Sequence, residues 1–167
     1  MFGTLEHATL RYVAFLNHLM ILSSATINTG LVSWFISKYD YRGVNIVYQE
    51  VIAVITLGFW LVGSALPLIG RYRGYLAPLN LVFSYLWLTS FIFSSQDWSS
   101  GKCGFGQPGE GHCSRKHAID AFNFIGFFFL LANTIVEGIL LRAEYAAPAA
   151  APHNKEISAG RTSDNSV

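Results

Sequence analysis

The chain has 167 residues, of which 52% are hydrophobic and 13% charged, with a formal net charge of +1. Soluble domains carry about 25% charged residues, so the composition excludes an ordinary water-soluble domain. Near-neutrality leaves no electrostatic footprint for nucleic acid. The length accommodates one compact bundle, without a second folded domain.

Residues 1–11 form a short polar start containing Glu6, His7 and Arg11. Four apolar stretches follow, at 12–36, 47–69, 75–93 and 119–141, each of about 19–25 residues. A helix of ~20 apolar residues crosses the ~30 Å hydrocarbon core of a bilayer. The pattern predicts an all-α, polytopic four-helix membrane bundle. The first stretch is longer than the 7–15-residue apolar region of a secretory signal and continues through Asn28-Thr29-Gly30 to Trp34-Phe35-Ile36, so it reads as a retained span.

In span one, Asn17, Ser24 and Asn28 share one helix face, and His18, Ala25 and Thr29 form the adjacent stripe. A polar turn from Ser37 to Ile46 leads to span two, whose Glu50 is expected at the outer interface in contact with water. Span two also carries Gly58, Gly63, Ser64 and Ala65, small residues that let helices approach closely. Pro67 near its end removes few backbone bonds.

A tight basic turn, Gly70-Arg71-Tyr72-Arg73-Gly74, joins spans two and three, and Pro78 is placed in the first turn of span three. Asn80 and Ser84 lie one above the other on that span. In span four, Asn123, Gly126, Leu130, Asn133 and Glu137 follow a three–four alternation and define one face. Asp120 is expected to open this helix, where a carboxylate suits the positive end of the dipole. Polar faces turned to lipid are costly, so all of these should point into the bundle. Their plainest role is interhelical hydrogen bonding, typically ~0.6 and up to ~2 kcal/mol per contact. Glu137 is the one ionisable group of this set that suggests a proton or solute path. It lies about one turn from the predicted membrane edge at Leu141, where Arg142, Arg71 or Arg73 are candidate partners. His18 has no second intramembrane histidine to pair with as a haem ligand, so no cofactor is expected.

Spans three and four are joined by Ser94 to Ala118, which holds the only two cysteines, Cys103 and Cys113. The intervening four glycines and one proline favour a turn that brings its ends together. A disulfide closing it is expected to contribute ~2–3 kcal/mol. Redox chemistry is disfavoured without a C-x-x-C pair, and Cys103, His112, Cys113 and His117 match no defensible zinc spacing. Residues 146–167 are rich in Ala, Pro, Ser and Asn and are predicted to be a disordered tail.

Aromatic residues flank the spans: Tyr12, Tyr72, Tyr75 and Tyr145 on the termini side, Trp34, Tyr39, Tyr48 and Trp98 on the other, as expected of headgroup-level rings. Basic residues divide almost evenly between the two sides, so the positive-inside rule does not orient the chain. Disulfides persist only in oxidising compartments, so if Cys103 and Cys113 are bonded, their loop is expected to be extracellular or lumenal and both termini cytoplasmic.

The chain resembles the MARVEL-domain tetraspan proteins, particularly the small fungal ones, across residues 8–145. The resemblance rests on the tight basic turn, on Asn80-Leu-Val-Phe-Ser-Tyr-Leu-Trp-Leu-Thr-Ser-Phe91, on Cys103-Gly and Cys113-Ser-Arg-Lys, and on Ala121-Phe-Asn-Phe124. It implies a left-handed bundle, cytoplasmic termini and an outer-loop cysteine pair. It also implies a role in membrane apposition, microdomains or vesicle trafficking at the plasma membrane or along the secretory pathway. No catalytic residue carries over. The leading expectation is a non-enzymatic organiser whose partners are membrane lipids, other membrane proteins or further copies of itself. Phe122, Phe124, Phe127, Phe128 and Phe129 would supply an aromatic outer surface. The alternative is a small transporter or channel subunit that uses Glu137 and the polar stripes.

Overall fold

The structure is a computed structural model that describes residues 2–40, 43–66 and 75–146. Those residues form four long helices, α1 (Phe2–Lys38), α2 (Val44–Gly63), α3 (Ala77–Trp98) and α4 (Cys113–Ala146), with one short 3₁₀ turn at Lys102–Gly104. All four helices are long and apolar enough to cross a membrane, and no strand occurs among the described residues. The chain is an integral, multi-pass membrane protein of the all-α class. Arg71, Arg73, Pro67 and the tail beyond Ala146 lie outside the described residues.

Helix boundaries depart from the apolar stretches. The polar start is already helical, so α1 has 37 residues and begins ten before the predicted span. Helix α4 begins at Cys113 rather than near Ile119 and has 34 residues. Helix α3 runs on to Trp98, past the predicted end at Phe93. Hydropathy marks where a helix meets lipid, whereas backbone hydrogen bonding carries a helix on into polar surroundings. Local chemistry fixes the stops. Gly43 is extended (φ −61°, ψ 148°) immediately before α2. Pro78 lies in the first turn of α3, where its missing N–H costs little. After α3 the chain reverses through left-handed Ser100 (φ 58°) and Gly101 (φ 78°).

Helices α1 and α3 run antiparallel to α2 and α4. The described N-terminal helix end and the end of α4 therefore lie on one side, called here the termini side. The 99–112 connector lies on the other, the loop side. The centre of the bundle is an apolar cluster of Ile21, Ala25, Ile52, Trp60, Phe83, Trp87 and Leu130, each no more than 8% exposed. Lipid tails are as apolar as these side chains, so close packing rather than water exclusion holds the cluster together. Trp87 shows how tight that packing is: its ring lies where a Cβ on Gly126 would stand, and its indole N–H donates to Thr56 Oγ1 at 2.9 Å. A second apolar cluster on the loop side contains Val32, Phe35, Ile46, Trp98, Cys103 and Ile119.

The small residues behave unequally. Gly126 admits Trp87, and Gly63 has only Leu76 within ordinary contact at 3.7 Å. Gly58 has nothing within 4 Å of its would-be Cβ and instead lines an apolar groove of about 470 Å³ between α2 and the start of α3. The bundle's exterior is apolar, and its exposed side chains include Phe59, Val62, Tyr85, Phe124 and Phe128.

Candidate functional site

Most intramembrane polar residues gather in two layers, one on each side of the central apolar cluster, and the hydroxyls of Ser24, Thr56 and Ser84 are buried between them. On the loop side Asn123 is the hub. Its Oδ1 accepts from Asn28 Nδ2 at 2.8 Å and from Ser90 Oγ at 3.2 Å. Its Nδ2 donates to Gln49 Oε1 at 3.2 Å and to Ser94 Oγ at 3.3 Å. Ser94 Oγ is also 2.6 Å from Asp120 Oδ1, which accepts from it. All four helices thus meet at one carboxamide that is 2% exposed. Asp120 was expected to open the helix, near the positive end of its dipole. Because α4 starts at Cys113, it lies two turns inside and serves as an interhelical acceptor instead.

On the termini side the centre is an ionisable pair. His18 Nε2 and Glu137 Oε1 are 3.0 Å apart, and both residues are fully buried. His18 Nδ1 lies 3.1 Å from the carbonyl oxygen of Gly63. A carbonyl only accepts, so Nδ1 carries a hydrogen and donates it. One proton then lies between Nε2 and Oε1, and it belongs to the pair. Asn133 Nδ2 donates to the same Oε1 at 2.9 Å. This is a partner the sequence reading did not give Glu137. Of the three arginines considered for it, Arg142 is exposed and Arg71 and Arg73 lie outside the described residues.

Asn80 and Asn17 are buried as well. The antiparallel register of α3 against α4 runs through Ser94 with Asp120, Ser90 with Asn123 and Trp87 with Gly126. Continued at the same spacing, it places Asn80 at the level of Asn133. The termini-side layer therefore draws on His18 of α1, Gly63 and Trp60 of α2, Asn80 of α3, and Asn133 and Glu137 of α4. Along α4 the hub and Asn133 are ten positions apart, about 15 Å at ~1.5 Å per residue.

The connector on the loop side is a built structure. Cys103 and Cys113 form a disulfide with a Cα–Cα distance of 5.5 Å. Lys116, the last residue of the Cys113-Ser-Arg-Lys run, is fully buried. Its Nζ donates to the carbonyls of Cys103 (3.0 Å), Gly106 (2.6 Å) and Gly109 (2.7 Å). An ammonium has three N–H donors, and each has one carbonyl. Trp98 was expected among headgroups but is 1% exposed and donates its indole N–H to the Gln107 carbonyl at 2.8 Å. Tyr48 likewise turns inward and donates to the Leu86 carbonyl at 3.2 Å. Trp34 is bracketed by cations, with Arg115 3.9 Å and Lys38 4.8 Å from its ring centroid. Glu50, expected to be solvated, is half-buried and accepts from Ser33 of α1.

Sequence reasoning missed Gln49, Ser90, Ser94 and Lys116. The first three were legible: Gln49, Ala53, Thr56, Trp60 and Gly63 form a four–three stripe on α2, and Ser90 and Ser94 extend the Asn80–Ser84–Trp87 stripe of α3. The aromatic surface of α4 is narrower than the five phenylalanines suggested. Phe124 and Phe128 are exposed, and their rings lie 6.5 Å apart at 24°, whereas Phe127 and Phe129 pack against the core.

No protein-family model matches the chain, and no curated protein matches it in sequence.

Proposed function

We propose that this protein is a non-enzymatic membrane organiser. It would shape microdomains, membrane apposition or vesicle traffic through contacts of its outer surface with lipids and neighbouring helices. The observation that carries this reading is the apolar plug of Ile21, Ile52, Trp60, Phe83, Trp87 and Leu130 between the two polar layers. A conducting protein needs a polar path from face to face. Here most of the intramembrane polar chemistry is divided into two ends that are spent largely on holding helices together; between them lie the hydroxyls of Ser24, Thr56 and Ser84, of which Thr56 and Ser84 donate to carbonyls of their own helices. What remains to meet the membrane is an apolar exterior with the Phe124–Phe128 ridge and the α2–α3 groove.

The resemblance to the small MARVEL-domain tetraspan proteins agrees with this role and favours the plasma membrane or the secretory pathway. The disulfide favours an oxidising compartment for the loop and cytoplasmic termini. The transporter reading draws on the His18–Glu137 pair, and the plug weighs against it.

The test is partition. Purified, fluorescently labelled protein is reconstituted in giant vesicles that separate into thicker and thinner phases. An organiser enriches in one phase, and Phe124→Ala with Phe128→Ala changes that enrichment. Equal distribution of the wild type between the phases would overturn the reading.

A further inference from the structure

The termini-side layer contains polar atoms that the helices do not pair. Asn80 is fully buried, and neither its Oδ1 nor its Nδ2 has a hydrogen-bond partner among the described residues. Exchanging the two ends of the carboxamide does not help, because both lack one. Asn133 Oδ1 and Trp60 Nε1 are in the same condition, at 0% and 1% residue exposure. The register places Asn80 level with Asn133, whose neighbour on α4 is Glu137, and the Trp60 ring centroid is 6.2 Å from that of His18.

Buried polar groups without partners cost free energy, and native interiors meet that cost with ordered water where the site is polar enough. The chemistry of the four atoms narrows the occupant. Two are acceptors, Asn80 Oδ1 and Asn133 Oδ1, and two are donors, Asn80 Nδ2 and Trp60 Nε1. A bare cation would serve only the acceptors, and an anion only the donors. An O–H group both donates and accepts. The neighbouring groove between α2 and α3 shares Trp60 as a wall, but these polar atoms are closed off from it and from all other surface. That closure favours a ligand small enough to be enclosed.

We propose that the termini-side layer is an internal water-binding site. Water there joins Asn80 of α3 and Trp60 of α2 to Asn133 and, through it, to the His18–Glu137 pair. The site closes the four-helix contact on the termini side. It also gives the proton held by the pair a hydrated environment on the termini side of the plug. The proposal stands apart from the organiser reading and survives its failure.

Water-edited solid-state NMR on the full-length protein in bilayers of deuterated lipid tests it directly. Magnetisation from water should reach the Asn80 and Asn133 carboxamides early, well ahead of the Leu130 and Ile21 methyl groups of the plug. Build-up at Asn80 as slow as at Leu130 would overturn the proposal. So would transfer to Asn80 from lipid hydroxyl protons in protonated lipid, because the occupant would then be a lipid alcohol entering by the groove. Asn80→Leu supplies an independent arm on thermal stability. A carboxamide that holds water makes the leucine variant melt at a lower temperature than wild type. An unchanged or higher melting temperature would mean that the carboxamide is merely unsatisfied, and the proposal would fail.

Discussion

The loop-side and termini-side layers are built from the same kinds of residue and reach closure differently. On the loop side, one carboxamide at Asn123 meets four partners drawn from the three other helices. On the termini side, Glu137 meets a histidine and an asparagine, while Asn80 across the bundle meets no described group. Position explains the contrast. The loop side is reinforced by the disulfide, by Lys116 and by the packing of Trp98, which hold α3 and α4 in a fixed register. On the termini side α2 ends at Gly63 and α3 begins at Ala77, so the layer is assembled at helix ends beside an open groove. A polar network needs fixed backbones to pair its members, and the loop side pairs its central carboxamide fully while leaving Asn28 Oδ1 and Gln49 Nε2 without a partner among the described residues.

The comparison predicts an order of effects. Asn123→Leu should be the most damaging, because it strands Asn28, Gln49 and Ser90 together. A loss of roughly 3 kcal/mol is expected, since each stranded buried group costs ~1–3 kcal/mol and membrane references soften the total. Thermal melting in detergent or nanodiscs reads it, and a near-neutral result would remove Asn123 as the hub. Cys103→Ser combined with Cys113→Ser should cost about 2–3 kcal/mol through loop entropy. It should reduce surface delivery while leaving the four spans inserted, as protease protection would show; loss of membrane integration would contradict a purely stapling role.

Lys116→Met keeps the volume and removes three charge-assisted bonds. It should cost about 2 kcal/mol and expose 104–111 to limited proteolysis without disturbing the termini side. Glu137→Gln retains an acceptor for Asn133 and should cost about 1 kcal/mol or less, a milder change than at Asn123. If it proved the more damaging of the two, the ranking of the layers would be reversed. Phe128→Ala on the exposed ridge should alter stability by less than about 0.5 kcal/mol while shifting phase partition.

Much of this was legible in the sequence, for identifiable reasons. Four spans follow from runs of apolar residues, and the inward faces of Asn28, Asn123, Asn133 and Glu137 follow from three–four spacing. All four of these residues are buried where that spacing put them. The partnership of His18 with Glu137 was not legible. It joins residues 119 positions apart across two helices, and one sequence contains no term for interhelical register. Helix ends were misplaced because hydropathy changes at the membrane surface while the hydrogen-bond ladder continues. Asp120 was misassigned as a consequence, because the end where it was placed proved to be an interior, whereas Trp98 does end α3 but is covered by the folded connector, to which it donates at Gln107. Lys116 escaped notice because burial of an ammonium depends on three carbonyls that converge only once the connector has folded.

The account turns on the plug, and proton flux tests it most directly. Wild-type protein and Glu137→Gln would be reconstituted in liposomes holding a pH gradient and a potassium-valinomycin potential. The account predicts dissipation no faster than in protein-free liposomes for both proteins, because protons that reach the termini-side layer stop at Trp60, Phe83 and Leu130. Wild-type flux that Glu137→Gln abolishes would contradict it and make the two layers the ends of one pathway.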